Sequence, residues 1–182
     1  MKRRTLAAAT AALLMTSALG MSACSSELVA QSGSSSAQSA ANLDHERISS
    51  VLETVGGVMA TADASLNAAD LGDQVTKGAL EMRTAQYALA NANSQALPPL
   101  DFEPTSLAIT NSDSWPRAIF NISDTSSTTL PVLEVYVQDS ARSDYKLTNY
   151  ARLLGGTHLT LPSVGTGSAY VTGDSQGFTV TP

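Results

Sequence analysis

The feature of this chain that most limits its possible folds is a change in the spacing of its apolar residues at "LPPLDFEPT" (97–105). Before this segment, apolar residues recur at steps of three and four, which is typical of amphipathic helices. After it, short apolar runs alternate with a period of two, which is typical of strands. Its three prolines end the helical part, because proline lacks the backbone N–H and biases the preceding residue toward extended geometry. Helices followed by strands predict an α+β domain.

Two helices are predicted before this point. The first begins near Asp44, whose side chain can cap the helix, and Gly56 and Gly57 predict a kink or a close packing contact in its middle. The second helix places Arg83 and Tyr87 along one edge. Residues at helical spacing form one apolar stripe on the first helix: Ile48, Val51, Leu52, Val55, Val58, Met59, Ala62 and Leu66.

Four strands are predicted in the second half, within "SLAIT", "RAIFNIS", "LPVLEVYVQ" and "YKLTNYARLL", because turn-forming clusters separate these runs. In the third run, Leu133, Val135 and Val137 form an apolar face and the opposite face is mixed. We therefore expect N-terminal helices packed on a curved antiparallel sheet of about four strands, in an α+β domain at 44–156. An extended, loosely packed C-terminal segment is expected at 157–182.

Residues 1–23 have the three-part layout of an export signal, with three positive charges, the apolar run "TLAAATAALLMTSALG" and small residues before Cys24. The run is diluted with Ala, Thr and Ser, which favours a leader over a membrane span. The sequence "MSAC" resembles the bacterial lipobox, in which the cysteine becomes the first residue of the mature protein. The resemblance implies that Cys24, the only cysteine in the chain, carries a lipid such as palmitate. The alternative is a free thiol in an ordinary leader.

The segment 24–43 is predicted to be a flexible tether between the lipid and the domain, because Ser, Gln and Ala cannot bury enough apolar surface to order it. The predicted location is the extracytoplasmic face of the cell membrane. The chain has a net charge of −6, and loss of a leader with three positive charges and no acid leaves −9. Such an acidic chain argues against a nucleic-acid partner. His45 and His158 lie far apart without a metal-ligand spacing, so neither a metal nor another cofactor is expected.

The order of helices and strands resembles the cone-shaped superfamily of nuclear transport factor 2-like and cystatin-like domains. A more specific similarity lies in "ALEMRTAQYALA", "LPPL", "SDSWPR", "LPVLEVYVQDSARSDYKLTNYARLLGG" and "GFTVTP", which resemble an uncharacterised family of actinobacterial lipoproteins. This resemblance covers about residues 44–182 and implies a location and a fold but no chemistry. Members of that family often continue into a further domain, so the chain would be a short or truncated member.

Two groups of residues are candidates for a site. Trp115 and Arg117 in "SDSWPR" could present an indole and a guanidinium to a ligand, as binding hot spots do; the alternative is that Trp115 plugs the core and Arg117 pairs with an acid. Enzymes of the cone-shaped superfamily use a tyrosine with an acid. Glu134 with one of several tyrosines could supply this pair, the alternative being a solvated Glu134 and tyrosine hydroxyls at the surface. These tyrosines are Tyr87, Tyr136, Tyr145 and Tyr150.

The sequence favours a membrane-anchored, non-catalytic module that binds a protein or a small molecule, with Trp115, Arg117 and Tyr136 as the residues most suited to contact it. The alternative is a small cell-envelope enzyme, isomerase-like or hydrolase-like, with a pocket inside the cone. A deep cavity that contains a buried acid would favour the enzyme.

Overall fold

We describe a computed structural model of the chain over residues 41–123, 130–157 and 159–171. These residues belong to one compact unit, Ser36–Pro182. The predicted leader, Cys24 and the tether up to residue 40 lie outside the described residues, as do His158 and residues 172–182 of the C-terminal segment. In the described ranges, no helix is both long enough and apolar enough to cross a membrane.

The first helix, α1, spans His45–Ser65 and is capped as expected, because the Asp44 carboxylate accepts the backbone N–H of Arg47 at 2.9 Å. Its predicted stripe faces the interior at Ile48, Leu52, Val55, Met59 and Ala62. The close packing contact predicted at the glycines is confirmed at Gly56, where a Cβ would lie 3.2 Å from the Phe102 side chain. The segment after the helices therefore crosses directly over α1.

A short 3-10 helix, Ala68–Leu71, leads to the second helix, α2, at Lys77–Asn93. Arg83 and Tyr87 lie on one buried edge of α2, as predicted, whereas Met82 and Leu89 are exposed. Gln74 and Thr76, just before α2, form backbone hydrogen bonds with Leu147 in the sheet.

The sheet has four antiparallel strands in sequence order, β1 (Ser106–Ile109), β2 (Arg117–Ser123), β3 (Val132–Gln138) and β4 (Lys146–Arg152). Backbone bonds between Leu147 and residues 74 and 76 join β4 to the start of α2, each with an N–O distance of 2.9 Å. The buried residues of α1, α2 and the sheet form one core cluster. The predicted α+β class is confirmed, since both helices precede the sheet in the chain and share its core.

The mixed face of β3 is the buried one. Val132, Glu134 and Tyr136 are fully buried, while the apolar residues between them are only half-buried. The interpretation of Glu134 as a solvated residue is therefore wrong. The register explains its burial, because Glu134 lies directly opposite Asn121 of β2 and the two polar side chains are buried together.

The segment before α1 and the segment after β4 both form hydrogen bonds with residues at the end of β1. Before α1, the Asn42 backbone N–H donates to Thr110 O at 3.0 Å and its side-chain amide donates to Ser112 O at 2.8 Å. After β4, the backbone N–H of Ser168 donates to Ile109 O at 2.6 Å. The last residues of the predicted tether and part of the predicted C-terminal extension are thus bonded to the domain.

Candidate functional site

An open cleft of about 600 Å³ lies where β2 begins, against the first half of α1. One wall carries Arg47 and Val51 of α1, and the opposite wall carries Trp115, Arg117 and Tyr145. Its volume falls within the range of small-molecule sites, roughly 300–1,000 Å³. The cleft is therefore large enough to hold a small organic ligand.

Trp115 and Arg117 form a stacked pair in this wall, with the guanidinium carbon of Arg117 4.1 Å from the centroid of the Trp115 ring. A guanidinium over an indole face is held by a cation–π attraction. Trp115 is half-exposed, lies outside the core cluster and so does not plug the core. Among the described residues no acid forms an ion pair with Arg117. The interpretation of Trp115 as a core plug is therefore wrong.

Two polar atoms of the cleft wall lack hydrogen-bond partners within the described part of the chain. They are Nε of Arg117 and the hydroxyl of Tyr145, and both are buried. About nine-tenths or more of buried polar groups in proteins are hydrogen-bonded, so an unpaired donor of a charged group needs an explanation. Burial raises the pKa of Tyr145, and the positive charge of Arg117 opposes this rise. The two side chains are thus close enough to interact electrostatically.

The charges of the cleft differ from those of the chain as a whole. Its charged lining residues are Arg47, Arg117 and Asp144, which leave one net positive charge, whereas the chain carries −6. Arg47 lies 3.9 Å from Asp44, but both side chains are exposed and such a pair holds the arginine weakly. The cleft is a locally positive site on an acidic protein.

Tyr136, the third residue predicted to contact a ligand, lies elsewhere. It is fully buried, and its hydroxyl donates to Oε2 of Glu134 at 2.8 Å. The side-chain amide of Asn121 donates to the same oxygen at 3.1 Å and to Glu103 O at 3.1 Å. Gln138, two residues after Tyr136 on β3, is the residue of this face that reaches the cleft. The structure therefore joins Trp115 to Arg117 but does not join Tyr136 to them.

Glu134 is a buried acid with an altered affinity for protons. Burial raises its pKa to about 7, which the hydrogen bonds from Tyr136 and Asn121 oppose and the negative charge of Asp101 supports. Its second oxygen, Oε1, is buried without a partner in the described residues. A proton on Oε1 would explain how this oxygen is tolerated, because a neutral carboxyl is far less costly to bury than a carboxylate.

An acid and a tyrosine do meet in the interior, as an isomerase-like enzyme would require, but neither lines the cleft. Both have no exposed surface. A substrate in the cleft would therefore not touch Glu134 in this conformation.

A second buried cluster surrounds Arg83 of α2. Its guanidinium forms two hydrogen bonds to the carboxylate of Asp63, of which the Nε bond measures 2.8 Å, and further bonds to Gln86 Oε1 and Pro98 O. The Tyr87 hydroxyl donates to Asp63 Oδ1 at 2.6 Å. Burial lowers the pKa of Arg83, but the bonds and charge of Asp63 raise it above the usual value. Asp63 of α1 thus accepts hydrogen bonds from both Arg83 and Tyr87 of α2, which joins the two helices.

Sequence reasoning missed Tyr145 as a member of the cleft, although the residue was among the candidate tyrosines. It lies just before β4, and the turn after β3 returns the chain to the start of β2, so Tyr145 and Arg117 line the same cleft. In residues 41–123, 130–157 and 159–171, no three His, Cys, Asp or Glu side chains are grouped so that they could hold a metal ion.

Comparison of the chain with family models, curated proteins and solved structures finds no match. The arguments about function therefore depend on the sequence and on the geometry of the cleft.

Proposed function

We propose that this protein is a lipid-anchored extracytoplasmic lipoprotein whose folded domain binds a small molecule in the cleft beside Trp115 and Arg117, without catalysing a reaction. The observation that carries the proposal is the cleft itself, of about 600 Å³ and with a stacked tryptophan–arginine pair in its wall. Aromatic and arginine side chains that stand in a concave surface are the residues on which binding energy is most often concentrated.

The anchor is supported by the sequence around Cys24. Two acyl chains on one cysteine give stable membrane attachment, since each buried methylene contributes about 0.8 kcal/mol. The acidic charge of the chain would not hold it to an anionic membrane surface. The lipid would then be the only link between the domain and the bilayer, and the likeness to actinobacterial lipoproteins agrees with such a link.

The anchor is tested with Cys24→Ser in the native envelope. We expect the native chain in the membrane fraction with a mass increase of an acylated cysteine, and the variant in the soluble fraction or unprocessed. Ser26→Ala is the matched control and should remain anchored. An unmodified Cys24, or equal membrane recovery of all three chains, would disprove the lipid anchor.

The binding site is tested by blocking the cleft. Ala141 lines it and is exposed, so Ala141→Phe fills part of the space without entering the core. We expect small molecules that change the fluorescence of Trp115, the only tryptophan, to lose this effect in Ala141→Phe. Ala88→Phe on the exposed side of α2 is the matched control and should bind as the native chain does. Equal binding by both variants would place the site elsewhere.

A small envelope enzyme remains the second candidate, because Glu134 and Tyr136 form the acid–tyrosine pair that such an enzyme requires. Its substrate would have to reach Glu134, so Glu134→Gln should abolish the effect of the substrate on Trp115 fluorescence or its conversion. The binding module predicts that Glu134→Gln leaves binding in the cleft unchanged.

A further inference from the structure

We infer that the ligand of the cleft is a carboxylate with a short apolar chain, held by Arg117 and Tyr145. This inference rests on the proposed binding function and names the class of ligand. It starts from the two unpaired polar atoms, Nε of Arg117 and the hydroxyl of Tyr145, which are both buried in the wall of the cleft.

The unpaired Nε–H lies on an edge of the guanidinium that suits a carboxylate. Nε–H and a neighbouring Nη–H form two parallel donors, and a carboxylate accepts both in a bidentate pair. Arg83 shows this geometry in the same protein, since its Nε and Nη2 both bond to Asp63. Arg117 has the same donors but forms no ion pair with an acid among the described residues. A ligand carboxylate would supply the missing acceptor.

Tyr145 adds a donor of a different kind. In the described part of the chain its hydroxyl has no hydrogen-bond partner, and it lines the same cleft as Arg117, whose charge opposes the rise in the pKa of Tyr145. One oxygen of a carboxylate can accept from the guanidinium while the other accepts from a hydroxyl. The pair therefore favours an acid over an alcohol or an amide, neither of which has two equivalent charged acceptors.

The orientation of Arg117 is fixed before a ligand arrives. Its guanidinium stacks on Trp115 at 4.1 Å, which holds the plane of its donors. Because less side-chain freedom is then lost on binding, more of the hydrogen-bond energy is retained as affinity. The single net positive charge of the lining matches one carboxylate better than a doubly charged phosphate.

The rest of the ligand follows from the apolar part of the lining. Leu43 and Val51 face the cleft on the α1 side and offer a surface to a short hydrocarbon chain. A chain that reaches from Arg117 to this side would gain apolar burial as well as the ion pair. The carboxylate of the ligand would thus lie at Arg117 and its hydrocarbon chain at Leu43 and Val51.

The test uses the full-length chain in a non-ionic detergent and three probes with the same six-carbon chain: hexanoate, hexanol and hexyl phosphate. Binding is measured by the fluorescence of Trp115. We expect hexanoate to bind most tightly, and Arg117→Gln to weaken it by about tenfold or more, the range of a hydrogen bond to a charged group. Tyr145→Phe should weaken it by about threefold to tenfold, as expected for one further hydrogen bond.

Arg142→Gln is the matched control, because it removes the same charge from an exposed position outside the cleft. Its hexanoate affinity should stay within about twofold of the native value, since exposed charges contribute little. Equal binding of hexanol and hexanoate, tighter binding of hexyl phosphate, or an equal loss in Arg117→Gln and Arg142→Gln would overturn the inference. If hexanol binds as tightly as hexanoate and Ala141→Phe removes the binding of both, the proposed binding module stands and the carboxylate class falls.

Discussion

Arg83 and Arg117 have the same side chain in two regions of the domain, but among the described residues only the guanidinium of Arg83 finds hydrogen-bond acceptors. Arg83 lies between the helices with a bidentate carboxylate partner, a side-chain amide and a carbonyl. Arg117 lies in the cleft wall with a stacked indole and an unpaired Nε. Arg83 donates four hydrogen bonds from its guanidinium, whereas no described residue accepts from Nε of Arg117. Departures of this kind from good packing are most often found at functional sites.

The largest effect is expected from Asp63→Asn, which removes the carboxylate that pairs with Arg83. It leaves the charge of Arg83, which has no exposed surface, without its carboxylate partner. Breaking one half of such a buried pair lowers the free energy of unfolding by about 3–5 kcal/mol. Urea unfolding followed by far-ultraviolet circular dichroism measures this loss.

Asp73→Asn is the control for this change, because Asp73 is exposed. We expect a change within about 0.5 kcal/mol for Asp73→Asn. If the two variants unfold at the same urea concentration, Arg83 is not a structural arginine and the contrast with Arg117 disappears.

The next effect concerns Glu134, a buried residue whose Oε1 has no hydrogen-bond partner among the described residues. Its pKa rises from an ordinary value of 4.5 to about 7 in the folded protein, mainly because it is buried. The folded state therefore binds a proton that the unfolded state releases between these values. Stability from this group is present below pH 4.5 and falls as the pH rises toward 7, by about 3 kcal/mol in total. Urea unfolding at a series of pH values measures the slope.

Glu134→Gln should remove this part of the pH dependence, since an amide does not titrate. Glu53→Gln, at an exposed position of α1, should retain it. An unchanged slope in Glu134→Gln would show that Glu134 is not the group that titrates in this range.

The smallest expected effect is the difference in the free energy of unfolding between Tyr87→Phe and Tyr145→Phe. The hydroxyl of Tyr87 donates to Asp63, so Tyr87→Phe should lower the free energy of unfolding by about 1.5–3 kcal/mol. No described residue bonds to the hydroxyl of Tyr145, so Tyr145→Phe should leave stability unchanged or raise it by up to about 1 kcal/mol. Thermal unfolding of the two variants under the same conditions measures the difference. Equal losses would mean that the Tyr145 hydroxyl stabilises the fold.

Much of the fold could be predicted from spacing alone. The stripe of α1 follows from apolar residues at steps of three and four, and the strands follow from runs bounded by turn-forming clusters. The inward face of β3 could not be chosen in this way. A period of two sorts Glu134 and Val135 onto opposite faces, but which face is buried depends on the partner strand, where Asn121 offers an amide to the acid.

The candidate site was predictable only where its residues are neighbours in the chain. Trp115 and Arg117 are two positions apart, so a pattern could indicate them together. Tyr145 comes from another turn, and Asp63 lies 20 residues before its partner Arg83. Spacing in the sequence carries no information about these contacts, because they are created by strand register and helix packing.

The hydrogen bonds of Asn42 decide where a pull on the N-terminal end would act. Asn42, three residues before α1, is bonded to Thr110 and Ser112. Ser112 belongs to the loop that carries Trp115, and Asn42 itself lines the cleft. A pull on Asn42 would therefore strain the rim of the cleft as well as the start of α1.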